Sequence, residues 1–467
     1  MRTLVVFEDL ESRAFDVLTD LRSVFDLRCG AGTLLERLTD RFAHDRLVLL
    51  PRPELCDLVA EMHPDVQVGW SADAGDAART ERHRAAASGD GQAASAFVFV
   101  NGRLLVTGDD AAALDTLARR ACGVDGRADA AASAGALTVG NAIVVAHCDA
   151  TTAQELATAL DRVWKRGADA KALQRPFSKR VHSLETLAGA APDDSVLLEH
   201  AWELVQHNQA AILDDFAHGP GAGVSVGARI DPGVHLMHDA SIRVEEGVRL
   251  RPGVVLDAEG GPITLEAGVD VQPLVVLRGP LWVGRDCLLK AGAKIHEGTS
   301  LGPVCKVGGE VEGSILQAYS NKQHEGFLGH AFLGEWVNLG ADTNNSDLKN
   351  NYGSVRMWES GRFVDTDSMF MGLVAADHVK SAINTQFNTG TVVGLSSQVF
   401  GAGFPPKYIA PFTWGTADEV YELERALETA RAVMARRQRE LTPAYEAAFR
   451  RAFDRAGTAR NTSRTAP

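Results

Sequence analysis

His324 sits among Asn321, Lys322 and Asn338 in the polar stretch SNKQHEGFLGHAFLGEWVNLGADTNNSDLKNNYGSVRMW. Imidazole titrates near neutrality and can take a proton from an amine as that amine attacks a carbonyl. Attack of an amine on a thioester is the chemistry these residue types suggest, with His324 as general base. A lone histidine is more often structural than catalytic; the amides and the lysine around this one favour the catalytic reading. His330 and His378, the latter in ADHVKS, leave a second reading open. Three histidines could ligate a metal at a subunit boundary, although no carboxylate or histidine spacing demands it, and no metal is expected.

Lysines before and after this stretch could bind phosphate. Lys290, Lys294 and Lys306 precede it and could hold a sugar phosphate by charge-assisted hydrogen bonds. Lys380 and Lys407 follow it and suit the phosphates of coenzyme A. The segment Gly401–Lys407 (GAGFPPK) reads as an ordered cap rather than a phosphate cradle.

The element that must position these residues is legible in the spacing. After Gly219, aliphatic residues recur every six positions at Val224, Ile230, Leu236, Ile242, Val248 and Val254. The register returns at Val283, Leu289, Ile295, Leu301 and Val307, then at Leu333 and Leu339, and again at Ile383, Thr389 and Leu395. That period fits neither a helix nor an alternating strand. It fits a left-handed parallel β-helix, in which six residues make one flat face and three faces make a coil. The aliphatic residue points inward, and small residues or glycine are expected at the corners. The repeat is expected to be disturbed from Val311 to Met371, where the polar residues crowd. A coil wall cannot enclose a substrate alone, so the site is expected in a groove between adjacent subunits of a homotrimer.

The first part of the chain alternates strand-like and helix-like segments. Thr3–Phe7, Arg46–Leu50 and Ala142–Ala146 read as strands, and Asn101-Gly102 within Ala96–Thr107 reads as a hairpin turn. Pro53–Met62, Asp110–Cys122 and Thr151–Arg166 read as helices. The domains expected are an α/β domain over 1–195, a connector helix over 196–218, the β-helix over 219–415, a helical region over 416–455 and a disordered tail over 456–467. Within them, Leu197–Phe216 reads as one amphipathic helix, Pro443 interrupts the C-terminal helix, and 71–95 reads as a surface loop.

The net charge is −14, from 47 basic and 61 acidic side chains. Such a surface repels a phosphate backbone and argues against nucleic acid as a partner. No apolar run approaches the ~18 residues of a membrane span, and the acidic start MRTLVVFEDLESR lacks the form of a signal peptide. No membrane partner and a cytoplasmic location are therefore expected. The six cysteines are scattered without a CxxC pair, as reduced thiols would be.

The run from Asn321 to Trp358, with GPVCKVGGEVEGS before it and INTQFNTGTVVG and FGAGFPPKYI after it, closely resembles a bacterial family of sugar nucleotidyltransferases. The family looks like an alternative form of the bifunctional UDP-N-acetylglucosamine pyrophosphorylase/glucosamine-1-phosphate N-acetyltransferase. The resemblance covers most of the chain and is strongest from about Leu281 to Trp414. It implies that His324 is the catalytic base and that Asn338 contacts the amino sugar. It places Lys290 near a sugar-phosphate arginine, with Lys322 among the substrate contacts. Asn351-Tyr352 would lie near the acetyl group, and Ala341 and Ser381 near backbone contacts to acetyl-CoA. Phe327 stands where the better-known enzyme has a tyrosine, so one hydrogen bond is missing.

The opening Arg13–Gly30 is similar to the start of sugar nucleotidyltransferases, keeping Arg13, Leu18-Thr19, Arg22 and Gly30. By that resemblance Arg13, Arg22 and Arg28 would hold a nucleoside triphosphate, with Mg2+ if the domain is active. The signature lysine falls at Val24, and FEDLES replaces the glycine-rich phosphate loop, which should repel triphosphate. Three readings follow: a sugar-phosphate acyltransferase fused to a nucleotidyltransferase-like domain, a nucleotidyltransferase with a regulatory β-helix, and a non-enzymatic trimeric scaffold.

Overall fold

The computed structural model describes residues 1–70, 96–121, 134–167, 170–177, 180–184, 195–415 and 419–465. The loop expected at 71–95 lies outside the described residues, as do Cys122 and the expected helix start at Thr416. The chain divides into two compact units, one of residues 1–13, 22–27 and 32–199, the other of 14–21, 28–31 and 200–467. The units divide at residues 199 and 200, and two short N-terminal segments belong to the second unit.

In the first unit a seven-stranded sheet runs in the order Val181–Ser183, Gly135–Val139, Ala142–Cys148, Ala96–Asn101, Arg2–Phe7, Arg46–Leu50, Gln67–Val68. Arg2–Phe7 pairs in parallel with both its neighbours. It is buried on both faces, which is why it reads as an unbroken apolar run. Helices α1 (Leu34–Arg41), α2 (Cys56–Met62), α3 (Asp110–Ala121) and α4 (Ala150–Arg166) complete the α/β unit. Thr33 and Glu36 form a capping box on α1, and Asp149 caps α4 by accepting from Thr152 N–H. Val5, Phe7, Phe99, Ala146, Leu156 and Val163 share one core.

The hairpin expected at Asn101-Gly102 does not form. Ala96–Asn101 lies in the main sheet, whereas Leu104–Leu105 pairs with Val196–Leu197. The Asn101 side chain is taken up internally, donating to Asp9 Oδ2 at 2.7 Å and to the Ile143 carbonyl at 2.9 Å. Extension of Val196–Leu197 also delays the expected helix, which begins at Glu203 as α5 (Glu203–His218).

The second unit is a left-handed parallel β-helix of three faces. The first face is a ten-stranded sheet from Gly223–Val224 to Tyr408–Ile409; the second and third begin as six-stranded sheets at Arg229–Ile230 and His235–Met237. The inward residues stack in register, as Val244, Leu265, Val283 and Leu301 do on the first face. Parallel pairing continues beyond Val311, but with a shortened period: Glu310 pairs with Phe327 and Ile315 with Phe332, offsets of 17 residues, where Leu281 and Thr299 are offset by 18. The segment between Asn345 and Val374 leaves the solenoid and carries an antiparallel hairpin, Arg356–Glu359 with Arg362–Asp365. Tyr408–Ile409 pairs with Val392–Val393, so the expected cap at Gly401–Lys407 leads into a further coil.

Corners are not reserved for small residues. Val304, Tyr319, Trp336 and His378 adopt left-handed φ of 63°, 54°, 61° and 59°. Each carries a strain that glycine would not.

Helix α5 belongs to this unit. Asn208, fully buried, accepts from Gly30 N–H at 2.7 Å and Ser300 Oγ at 3.0 Å, and donates to the Gly298 carbonyl at 2.7 Å. The C-terminal region is two helices, α6 (Leu423–Ala435) and α7 (Pro443–Thr465). Pro443 starts α7, a position where its missing N–H has no partner to lose. The tail expected to be disordered is helical to Thr465. Phe449 of α7 packs edge-on against His378 and Phe412, with ring centroids 5.8 and 5.2 Å apart.

Candidate active site

His324 lies at an exposed corner between the strands Asn321–Lys322 and Phe327–Gly329. The coil that carries it is built differently from those before it. Lys322 is in register with Val307 and so occupies an inward, normally aliphatic position. It is 2% exposed, and its ammonium donates to the carbonyls of His324 at 2.6 Å and Gly308 at 3.0 Å. Burial lowers its pKa to about 8, against the opposing charges of Glu325 and Asp342. Lys322 therefore braces the His324 corner from inside the prism and is not presented to a substrate.

Polar side chains continue inside the next coils. Buried Asn345 receives the Gly329 N–H and donates to the Gly329 carbonyl, each at 2.9 Å. Thr343 and Ser381 share a hydrogen bond of 2.8 Å, and Ser381 Oγ also accepts from Gly340 N–H. The Ser381 N–H itself donates to the Asn338 carbonyl, which removes it as a backbone donor to a cofactor. Ala341 is half-buried and its carbonyl accepts from Asn384. A polar interior at this level holds the corners by directional bonds where aliphatic contact alone would leave them free to shift.

The second face of these coils forms a cavity of about 290 Å3, lined by Lys306, Asn321, Gln323, Asn338 and Lys380 and closed by Val433, Arg436 and Arg437. Gln323, next to His324, is on its rim. Arg437 donates to Asn321 Oδ1 at 3.0 Å, and Asn321 donates to Asn338 Oδ1 at 3.3 Å, so the Asn338 amide is held in one orientation. Lys380 donates to the Trp336 and His378 carbonyls at 2.7 and 3.0 Å; burial lowers its pKa to about 7, opposed by Asp377. Burial and then the charges of Arg437, Arg436 and Lys290 lower the Lys306 pKa.

The structure thus brings Asn338 and Lys380 together, with Lys306 and with Lys290 close enough to act on Lys306 by its charge. Asn351 and Tyr352 lie apart, exposed on the excursion that carries the hairpin. Lys407 donates to the Arg356 carbonyl at 3.0 Å and lies 6.0 Å from the Phe363 ring centroid, so it steadies the hairpin instead of joining Lys380. Arg436, Arg437, Tyr319 and Trp336 were not anticipated. The two arginines are far from the solenoid motifs in sequence, and no six-residue period marks a helix that folds back onto it.

The three histidines do not converge. His330 pairs with Asp347 at 2.8 Å, and His378 is hydrogen-bonded to Tyr445 at 2.8 Å. Among the described residues no group of three His, Cys, Asp or Glu side chains could hold a metal ion.

In the first unit, a cavity of about 270 Å3 opens at the carboxyl ends of Arg2–Phe7 and Arg46–Leu50, lined by Glu8, Pro51, Cys56, Trp70, Asp161 and Trp164. Ligands of open α/β sheets bind in such a crevice. The acidic loop is not a repelling surface, as expected, but an internal one. Glu8 accepts the N–H groups of Val24 at 2.8 Å and Arg52 at 2.7 Å, and Asp9 forms a buried pair with Arg103 at 2.7 Å. Carboxylates engaged in this way do not fit a Mg2+ site. The expected arginines are each engaged locally. Arg13 lies over Trp164 at 5.6 Å, and Arg22 is buried. Arg28 belongs to the second unit, where it lies over Trp282 at 4.6 Å and its N–H donates to Gln317.

Residues 4–219 match the family model described as sugar nucleotidyl transferase. Bifunctional protein GlmU of Synechococcus sp. (strain CC9311) is 34% identical over 116 residues, 24% of this chain and 24% of that protein. Bifunctional protein GlmU of Bordetella parapertussis is 28% identical over 197 residues, 41% of this chain and 40% of that protein. The alignments span less than half the length of these curated relatives. A solved UDP-N-acetylglucosamine acyltransferase of Francisella novicida aligns at 11% identity over 45% of this chain and 72% of that one, with a TM-score of 0.25.

Proposed function

We propose, on the premise that a sugar nucleotidyl transferase domain is joined here to a hexapeptide-repeat solenoid, that the chain is a sugar-phosphate acyltransferase. The substrates proposed are glucosamine-1-phosphate, or a related amino-sugar phosphate, and acetyl-CoA. The observation that carries this reading is the exposed imidazole of His324 on a corner clamped from within by Lys322. A general base must reach its substrate while its backbone stays fixed, and that arrangement meets both needs.

In the proposed reaction the neutral amine attacks the thioester carbonyl. His324 takes the proton that the nitrogen loses as the C–N bond forms. The C–S bond then breaks, and the thiolate leaves and is protonated to free coenzyme A. Asn338 and Lys290 are proposed on the acceptor, with Lys322 acting through the His324 corner. Ala341 and Lys380 are proposed on the donor side, and Asn351 and Tyr352 near the acetyl group from a neighbouring copy. A homotrimer would supply that copy, and the reaction would belong in the cytoplasm; no helix among the described residues is long and apolar enough to cross a membrane.

The test is release of free thiol from acetyl-CoA in the presence of glucosamine-1-phosphate. No release with any hexosamine phosphate at high protein concentration removes the reading. A second reading, nucleotidyl transfer, is favoured by the family match over residues 4–219. It requires Mg2+-dependent pyrophosphate release from UTP or dTTP with a sugar-1-phosphate, and absence of nucleotide binding by calorimetry excludes it.

A further inference from the structure

The cavity on the second face is closed by α6 and by the residues that follow it, which the acyl-transfer reading does not use. Three cations meet there, Lys306, Arg436 and Arg437, beside Lys380, whose pKa burial lowers to about 7. None of the described residues lining it is acidic. In a chain of net charge −14, that gathering is not a sample of the average surface. Like charges repel across a partly desolvated space, and the lowered pKa of Lys306 reflects its burial first and then the arginines beside it. A counter-charge inside the cavity would relieve this repulsion.

Two unsatisfied donors support the same conclusion. Arg437 Nε and Trp336 Nε1 are buried without an acceptor, and both residues line the cavity. Buried donors normally find partners, and these two have none among the described residues. The wall is also stiff. Trp336 stacks on Tyr319 with ring centroids 4.3 Å apart, and both hold left-handed φ.

We propose that this cavity binds a phosphate-bearing small molecule, with Arg436 and Arg437 as anion contacts supplied by the C-terminal helical arm. A phosphate ester offers several acceptor oxygens and at least one negative charge, and guanidinium groups match that geometry. Lys306 adds charge. The cavity adjoins Gln323 and Asn338, so the C-terminal arm becomes part of ligand recognition. The proposal shares Asn338 and Lys380 with the acyl-transfer reading but does not depend on any reaction. The phosphate could belong to a sugar phosphate or to coenzyme A.

Calorimetry on the full chain separates these outcomes, with glucosamine-1-phosphate, coenzyme A, inorganic pyrophosphate and unphosphorylated glucosamine as titrants. At least one phosphate probe should bind and glucosamine should not. The R436Q/R437Q double variant should bind that probe at least ~10-fold more weakly, as loss of charge-assisted contacts requires. The H324A variant should keep binding within roughly threefold even where thiol release is lost, so failure of catalysis is distinguishable from failure of this site. A preference for glucosamine-1-phosphate assigns the cavity to the acceptor, and a preference for coenzyme A assigns it to the donor. K306Q, remote in sequence from the helical arm, is the second variant and should also weaken binding should the double variant fold poorly. Absence of binding by every phosphate probe, or affinity unchanged in R436Q/R437Q and K306Q, overturns the proposal.

Discussion

The ammonium of Lys322 donates to the main-chain carbonyl of His324 at 2.6 Å, from inside the solenoid. A lysine at an inward hexapeptide position is costly, because the charged form is desolvated. In the folded chain its pKa falls from 10.5 to about 8, whereas in the unfolded chain it keeps its ordinary value. Between about 8 and 10.5 the unfolded state therefore holds more protons, and stability from this group rises with pH; below about 8 the whole penalty is present. Lys322→Met should flatten the alkaline rise in a urea-unfolding series. It should also slow thiol release by ~10-fold if the brace positions His324, with KM changed less than kcat. Unaltered kcat would separate Lys322 from the base.

His324→Ala should lower acetyl transfer by at least ~100-fold, since general bases contribute about that much. The side chain is exposed, so the melting temperature should stay close to that of the parent chain. Unchanged turnover removes His324 from the mechanism.

Asn208 satisfies three partners at a fully buried position. Asn208→Ala leaves the Gly30 N–H and the Gly298 carbonyl without their partner. A loss of about 2–4 kcal/mol in denaturant unfolding is expected. A change below about 0.5 kcal/mol would mean that other groups can replace the amide.

Asp9 and Arg103 form a pair in which both side chains are 1% exposed. Burial pushes the Asp9 carboxyl up, but the Arg103 charge and the hydrogen bonds of Arg103, Asn101 and Ser12 outweigh it and leave the pKa lowered. Its contribution is therefore present above the unfolded carboxylate range and is lost as pH falls through the lower folded value. Asp9→Ala should destabilise the first unit by about 3–5 kcal/mol by stranding the buried guanidinium. Circular dichroism during urea unfolding reads this directly. Equal stability would mean that Arg103 finds another acceptor.

Much of the fold was legible because its periods are local. Inward Leu289 and Val307 announce the second face by spacing alone. The alternation of apolar strands and amphipathic helices announces the first unit. The site was legible only in part. His324 and Asn338 stand in a recognisable run, but Lys322 was read as a substrate contact because sequence does not show which way a lysine points. Lys380 and Lys407 looked equivalent as phosphate ligands, yet one lines a cavity and the other braces a hairpin. Asn101-Gly102 has the residues of a tight turn, but a buried carboxylate at Asp9 took the asparagine amide, and the strand after it paired elsewhere.

The sequence by itself determined the repeat, the α/β alternation and the residue at the corner most able to move a proton. These follow from side-chain periodicity and intrinsic chemistry, which are properties of neighbouring residues. Only the tertiary structure decided that Arg436 and Arg437 would close a cavity begun by Lys306 and Asn338, and that Lys322 would face inward. Those relations depend on which distant segments pack together, a choice set by the whole core and carried by no local pattern.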